Sequence, residues 1–244
     1  REFRFLNSFN MTVIPYMKRF TLLLPLLLLS VIALAQETKP FNGKEHYKKR
    51  TALFNSQPIP AKGHIVMLGD SHVEFGNEWG ELIQSDKVII NRGIIGDTST
   101  GMKKRALHAC KGKPSDLFIE CGANDLASGI SSKEVADGII SLISTLRKIS
   151  PGTTLHVNSV LPINESFGRW KTLKGKTDTI PVINLILQRY CADNGIDYVD
   201  IFSKLVEPGT NTMRLEYCKD GLHLLPKGYE VWATELKQRE CFAR

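Results

Sequence analysis

Ser71 stands at the end of the run Ile65-Val66-Met67-Leu68-Gly69-Asp70. Four apolar residues bounded by His64 and Gly69 read as a short buried strand. Ligands of open α/β sheets gather beyond the carboxyl ends of the strands. A serine hydroxyl attacks an acyl carbonyl only if a base takes its proton and fixed donors hold the oxyanion. Of the six histidines, His46, His64, His72, His108 and His156 read as ordinary surface or core residues. His72 adjoins Ser71, but in an extended chain the two side chains diverge. His223 differs, because Asp220 stands three residues before it in Asp220-Gly221-Leu222-His223. A carboxylate there can accept from one ring nitrogen and leave the other to face a hydroxyl. The same four residues also read as a turn followed by a helix cap. No third group of ligands is spaced to complete a metal site around the pair.

Three donors for an oxyanion follow three different strands: the Ser71 N–H, the Gly96 N–H and the Asn124 side-chain amide. Glycine lets the backbone approach a substrate with no Cβ in the way, and asparagine donates without carrying charge. Gly93 and Gly96 read equally as a plain turn, or as a phosphate cradle ahead of a helix at Ser99.

The elements that must position these groups alternate. A weak lead-in helix over 44–55 ends at Pro58 and Pro60. Strands are expected at 65–68, 88–90, 117–119, 155–161 and 198–201, with helices at 74–85, 99–109, 181–192 and 226–237 between and after them. The clearest helix runs from a Ser131 or Ser132 cap to Ile149. Val135, Ile139, Leu142, Ile143 and Leu146 recur there at helical spacing, and Pro151-Gly152 stops it. The polar stretch 164–179, which carries Phe167, Arg169 and Trp170, is long for a compact domain and reads as a lid or a mobile loop. Five strand–helix alternations call for an α/β fold with a parallel sheet covered on both faces.

Four blocks together resemble the SGNH (GDSL) hydrolases in order and interval: Gly69-Asp70-Ser71, Gly96-Asp97-Thr98, Gly122-Ala123-Asn124-Asp125 and Asp220-Gly221-Leu222-His223. The resemblance spans residue 65 to the C-terminus. Residues 91–98 are most similar to the branch that includes platelet-activating-factor acetylhydrolase-like proteins and bacterial carbohydrate acetylesterases. The resemblance implies a three-layer, flavodoxin-like sandwich around a five-stranded parallel sheet. It also implies hydrolysis of esters or thioesters without metal or cofactor. By position, Ser71 is the nucleophile, His223 the base, Asp220 its orienter, and Ser71, Gly96 and Asn124 the oxyanion donors. His72 stands where GDSL names a Leu, a departure that bears on substrate fit rather than on catalysis. No G-x-S-x-G surrounds Ser71, which argues against an α/β-hydrolase elbow.

The N-terminus reads as a targeting segment. Met17-Lys18-Arg19, the apolar run 20–34 and Ala33-Leu34-Ala35 describe a signal peptide over 17–35, cleaved before Gln36. A membrane anchor is the rival reading, although the run contains Pro25 and is shorter than the ~20 residues a span needs. Residue 36 is Gln and not Cys, so no lipid attachment is expected there. Residues 1–16 read as upstream extension, 36–62 as a lead-in and 63–244 as one domain. The chain carries +7. From residue 36 onward, 28 basic residues face 24 acidic ones, a mild +4. Lys48-Lys49-Arg50 and Lys103-Lys104-Arg105 therefore read as solvated helix faces and not as a nucleic-acid surface. Cys110, Cys121, Cys191, Cys218 and Cys241 are odd in number, which fixes no pairing, and Cys121 reads as a buried thiol.

The expected protein is a secreted or periplasmic serine esterase acting on short acyl or acetyl esters, with acylated glycans the first substrate class. No cofactor, nucleic acid or lasting membrane insertion is expected. A lysophospholipase or thioesterase, a non-catalytic glycan-binding module, and a phosphate or flavin binder at 93–98 are the alternatives. The last leaves Asp220, His223 and Asn124 without purpose.

Overall fold

The computed structural model describes residues 41–242. The 1–16 extension and the 17–35 signal peptide lie outside the described residues. Among the described residues no helix is long and apolar enough to cross a membrane.

Five strands, β1 (Ile65–Gly69), β2 (Ile89–Gly93), β3 (Asp116–Glu120), β4 (Thr154–Asn158) and β5 (Asp197–Val199), form one parallel sheet in the order β2-β1-β3-β4-β5. This is the flavodoxin-like order, in which the chain winds one way from β1 and then back the other way from β3. β1 is paired on both edges and buried throughout, which is why it reads as an unbroken apolar run and not as an alternation. Its side chains still alternate between layers. Val66 and Leu68 pack with α7 (Ser132–Ile149) and α8 (Ile180–Asp193), while Ile65 and Met67 pack with α3 (Trp79–Ile83) and α10 (Pro226–Leu236). The layers are therefore helix, sheet, helix.

α7 has the cap its sequence implies. Ser131 Oγ accepts from Glu134 N–H, and the Glu134 carboxylate accepts from Ser131 N–H. Two other expected helices are each broken in two. The 74–85 helix is instead α2 (Ser71–Phe75) and α3, because the Val73 carbonyl is taken by Trp79 Nε1 (3.0 Å) and Asn91 Nδ2 (2.9 Å) instead of by the next helical turn. The 99–109 helix is α4 (Ser99–Lys104) and α5 (Ala106–Ala109), with the break at Arg105. That residue also corrects the reading of its basic run. Lys103 and Lys104 are exposed, but Arg105 is buried and its guanidinium spans Asp97 Oδ2, the Arg92 carbonyl and the Gly69 carbonyl. Arg50 departs likewise. It lies on the lead-in helix α1 (Gly43–Ser56) and donates to the Gly93 carbonyl at 2.9 and 3.2 Å. Phe54 of α1 is buried with the Arg50 and Arg92 guanidiniums over its ring. α1 is thus tied to the end of β2.

The 164–179 stretch, expected as a lid or a mobile loop, carries local structure of its own. It makes three single 3₁₀ turns, and the Glu165 carboxylate gathers the Gly175, Lys176 and Thr177 N–H groups at 2.6–3.0 Å. All five cysteines are free thiols, and Cys121 is buried.

Candidate active site

The winding reverses between β1 and β3, and ligands of such sheets bind beyond the carboxyl ends of the strands at that point. Ser71 leaves β1 there, and Asn124 lies just past β3 in α6 (Ala123–Ala127). Gly96 follows β2. The loop before α10 carries Asp220 and His223 to the same rim.

Ser71 opens α2. It is not in extended chain, as the sequence implied, because Asp70 caps the helix and accepts from His72 N–H at 2.9 Å. The turn into it is tight. A Cβ on Gly69 would stand 2.2 Å from Val73 Cγ2 and 2.8 Å from the Glu120 carbonyl. The base loop is equally constrained. Asp220 Oδ1 accepts from the N–H groups of Leu222 (3.2 Å) and His223 (2.9 Å), and Lys219 N–H donates to the His223 carbonyl at 2.8 Å. Gly221, at φ +96°, presses on the Asn164 carbonyl so closely that a Cβ would lie 2.8 Å from it.

These constraints bring Ser71 and His223 together across 152 positions of chain. His223 Nε2 lies 3.1 Å from Ser71 Oγ, and His223 Nδ1 lies 2.9 Å from Asp220 Oδ2. Burial pushes Asp220 upward, but the hydrogen bonds from the His223 ring and N–H overcome it and hold the carboxyl at about 2. His223 is pushed below its ordinary value, first by burial and then by the neighbouring His72 charge, against the pull of Asp220. A neutral imidazole near pH 7, with a carboxylate on one nitrogen and a hydroxyl on the other, is set to accept a proton. Trp170 and Phe75 stand edge-on to the His223 ring at 5.3 and 5.1 Å, and Trp170 Nε1 donates to Asp220 Oδ1 at 3.3 Å.

The expected donors gather at the same rim. Neither the Ser71 nor the Gly96 N–H has a backbone acceptor among the described residues. Gly96 sits at φ +78° with open space where a Cβ would be. Asn124 Nδ2 donates both its hydrogens, to Asp70 Oδ2 (2.9 Å) and to the Asp97 carbonyl (3.1 Å). An incoming oxyanion can therefore replace the Asp97 carbonyl as acceptor.

The cradle reading of 93–98 does not fit. Gly93 N–H donates to Asn91 Oδ1, Ile95 N–H to Glu74 Oε2, Thr98 N–H to Asp97 Oδ1 and Ser99 N–H to Asp125. One amide oxygen and three carboxylates already take the N–H groups a phosphate would need. His72 is also corrected. It is 1% exposed and its Nε2 faces the Leu222 carbonyl at 3.0 Å, so it lies beneath the site and cannot touch substrate. Arg105, Asp125 and Trp170 hold the site together and carried no sequence signal as such; only Asp125 lay inside one of the four blocks.

Comparison with known proteins identifies the family and the fold. Residues 67–231 match the GDSL-like lipase/acylhydrolase family. Among solved structures, the chain is similar to a Streptococcus pneumonia protein provisionally described as a platelet activating factor (23% identity, 88% of this chain and 97% of that one, TM-score 0.70). It is also similar to a Bacteroides fragilis protein provisionally described as an acylhydrolase (24%, 78% and 93%, 0.68). A GDSL-like lipase from Bacteroides thetaiotaomicron is a third (24%, 81% and 96%, 0.65). At these identities the structures share the fold. No match was found among curated proteins. The family match covers more than half of the sequence, so the chain belongs to the GDSL-like lipase/acylhydrolase family and is, by that membership, a carboxylic ester hydrolase.

Proposed function

We propose that the chain is an exported serine esterase that removes short acyl groups, acetyl first among them, from carbohydrate. The observation that carries the mechanism is the Asp220–His223–Ser71 line, with contacts of 2.9 and 3.1 Å. His223 Nε2 takes the Ser71 proton as Oγ attacks the acyl carbonyl. The tetrahedral oxyanion rests on the Ser71 and Gly96 N–H groups and on Asn124. His223 then returns the proton to the departing alcohol, and water repeats the sequence to free the acid. Because Asn124 exchanges a neutral carbonyl for an oxyanion, its hydrogen bond strengthens only as the transition state forms.

A cavity of about 430 Å³ beside the base loop, lined by Ile163, Asn164, Arg169, Trp170, Leu173 and Gly221, has room for a sugar-sized alcohol or for an acyl group. Its exposed wall is mostly apolar, with Trp170, Ile163 and Leu173 beside a few polar groups, so the carbohydrate reading rests on the family resemblance and the cavity supplies room alone. Export rests on the 17–35 segment and predicts a secreted chain beginning near Gln36. A panel of p-nitrophenyl esters of rising chain length and of acetylated sugars tests the substrate reading. We expect kcat/KM to be highest for acetyl and to fall with length, with acetylated sugars turned over. A preference for long chains would move the protein to the lysophospholipase reading.

A further inference from the structure

Beneath Ser71 lies a cluster that the mechanism above leaves unused. Asp70, His72 and Glu120 are all fully buried, and one oxygen or ring nitrogen from each lies within 4.8 Å of the other two. His72 Nδ1 is 3.3 Å from Asp70 Oδ1 and 3.7 Å from Glu120 Oε2, too poorly aligned to hydrogen-bond. Both Glu120 oxygens also lack a donor. An unpartnered carboxylate sealed from water is strongly disfavoured. Burial and the Asp70 charge push Glu120 well above its ordinary range, so it keeps its proton. Burial works against the His72 charge, and with Glu120 protonated the pull that remains on the ring is that of Asp70 and of the Leu222 carbonyl. A carboxyl oxygen of Asp70 lies within 4.8 Å of a Glu120 oxygen, so the Glu120 O–H can be directed to Asp70.

Asp70 connects this cluster to the reacting groups. Its Oδ1 accepts the His72 N–H that begins the Ser71 helix, and its Oδ2 accepts the Asn124 amide. On the other side, His72 Nε2 holds the Leu222 carbonyl, one residue before His223, and the His72 carbonyl accepts from Tyr229 of α10 at 2.9 Å. We propose that Glu120 and His72 are positioning residues for ester hydrolysis, acting as one unit through Asp70 to aim the Asn124 amide and through Leu222 to seat the His223 loop. The inference rests on the esterase reading of Ser71 and adds residues that touch no substrate. A misplacement of about 1 Å in such groups is enough to cost about 10²-fold in rate.

The test measures p-nitrophenyl acetate turnover by the full chain, with reactive serines counted by a fluorophosphonate probe. Glu120→Leu should lower kcat per labelled serine by about tenfold or more with KM within about twofold. Glu120→Gln supplies an N–H to Asp70 and should restore kcat to within about threefold of wild type. His72→Leu should lower kcat as Glu120→Leu does, and carries the same expectation if Glu120→Leu fails to fold. The double variant should be no worse than the poorer single one, as for a unit. A Glu120→Leu or His72→Leu chain with a lower Tm but unchanged kcat per labelled serine would overturn the inference. So would a rise in KM alone, or a Glu120→Gln variant no better than Glu120→Leu. A wild-type chain that neither labels nor turns over would overturn the esterase reading together with the inference, whereas wild-type turnover beside unaffected variants overturns the inference alone.

Discussion

Opposite ends of the same sheet each hold a histidine bound to carboxylate. At the amino end, His156 in β4 is closed on both sides. Its Nε2 meets Asp116 Oδ1 at 2.9 Å, its Nδ1 meets Asp197 Oδ2 at 2.8 Å, and Arg239 balances Asp197 at 2.8 Å. The ring also stacks on Phe118, 4.1 Å away. Burial opposes its charge, but the two carboxylates raise it to about 10, so it stays an imidazolium. At the carboxyl end, His223 has a carboxylate on one nitrogen only; the other meets the Ser71 hydroxyl, and its proton affinity is lowered. The two rings differ in what closes the second nitrogen. An acid there makes a permanent cation that pins strands, and a hydroxyl there leaves a base.

The largest effects should fall at the carboxyl end. Ser71→Ala and His223→Ala should each lower kcat by about 10⁴-fold or more, with the double variant little worse, because the two act together. Asp220→Asn should cost about as much, since an amide holds the imidazole in the wrong tautomer and cannot stabilise the imidazolium. Asn124→Ala should lower kcat by roughly 10²–10³ with KM little changed. A rise in KM with kcat spared would make Asn124 a substrate-binding residue instead.

pH separates the two ends further. His223 must be neutral to act and its pKa lies below the ordinary 6.5, so kcat/KM should rise with pH to a plateau and pass its half-maximal value below pH 6.5. His156 acts in the opposite sense. Its folded pKa of about 10 lies above the unfolded value, so its stabilisation is complete below about pH 6.5 and is lost as pH rises toward 10. His156→Leu should leave kcat per folded molecule unchanged. Because the Asp197 side chain is 35% exposed, the loss in stability should be about 2 kcal/mol, or roughly 4–8 °C in Tm at neutral pH, shrinking as pH approaches 10.

The two ends were not equally legible in the sequence. The reacting groups were visible because each sits where a strand ends and the chain turns, at Ser71, Gly96 and Asn124, or three residues from its partner, as Asp220 does from His223. The five strands were legible as apolar or alternating runs, with ends displaced by at most three residues. What supports the site was hidden for a physical reason. Arg105 lies in a run of lysines, and only the fold shows that its guanidinium turns inward to Asp97. Glu120 ends a strand and His72 follows the nucleophile, so nothing local marks them as buried together. Asp116, His156 and Asp197 lie on three strands, and parallel pairing alone brings them into contact. The broken helices failed similarly, because the Val73 carbonyl is claimed by Trp79 and by Asn91 from a distant strand.

The claim on which the account turns is that Ser71 is the nucleophile and His223 its activating base. Labelling the wild-type chain and His223→Ala with a fluorophosphonate, then mapping the adduct by peptide mass spectrometry, tests it most directly. The account predicts one adduct per wild-type chain, on Ser71, formed in step with loss of esterase activity and greatly slowed in His223→Ala. An adduct on another residue, or esterase activity that survives complete labelling of Ser71, would contradict it.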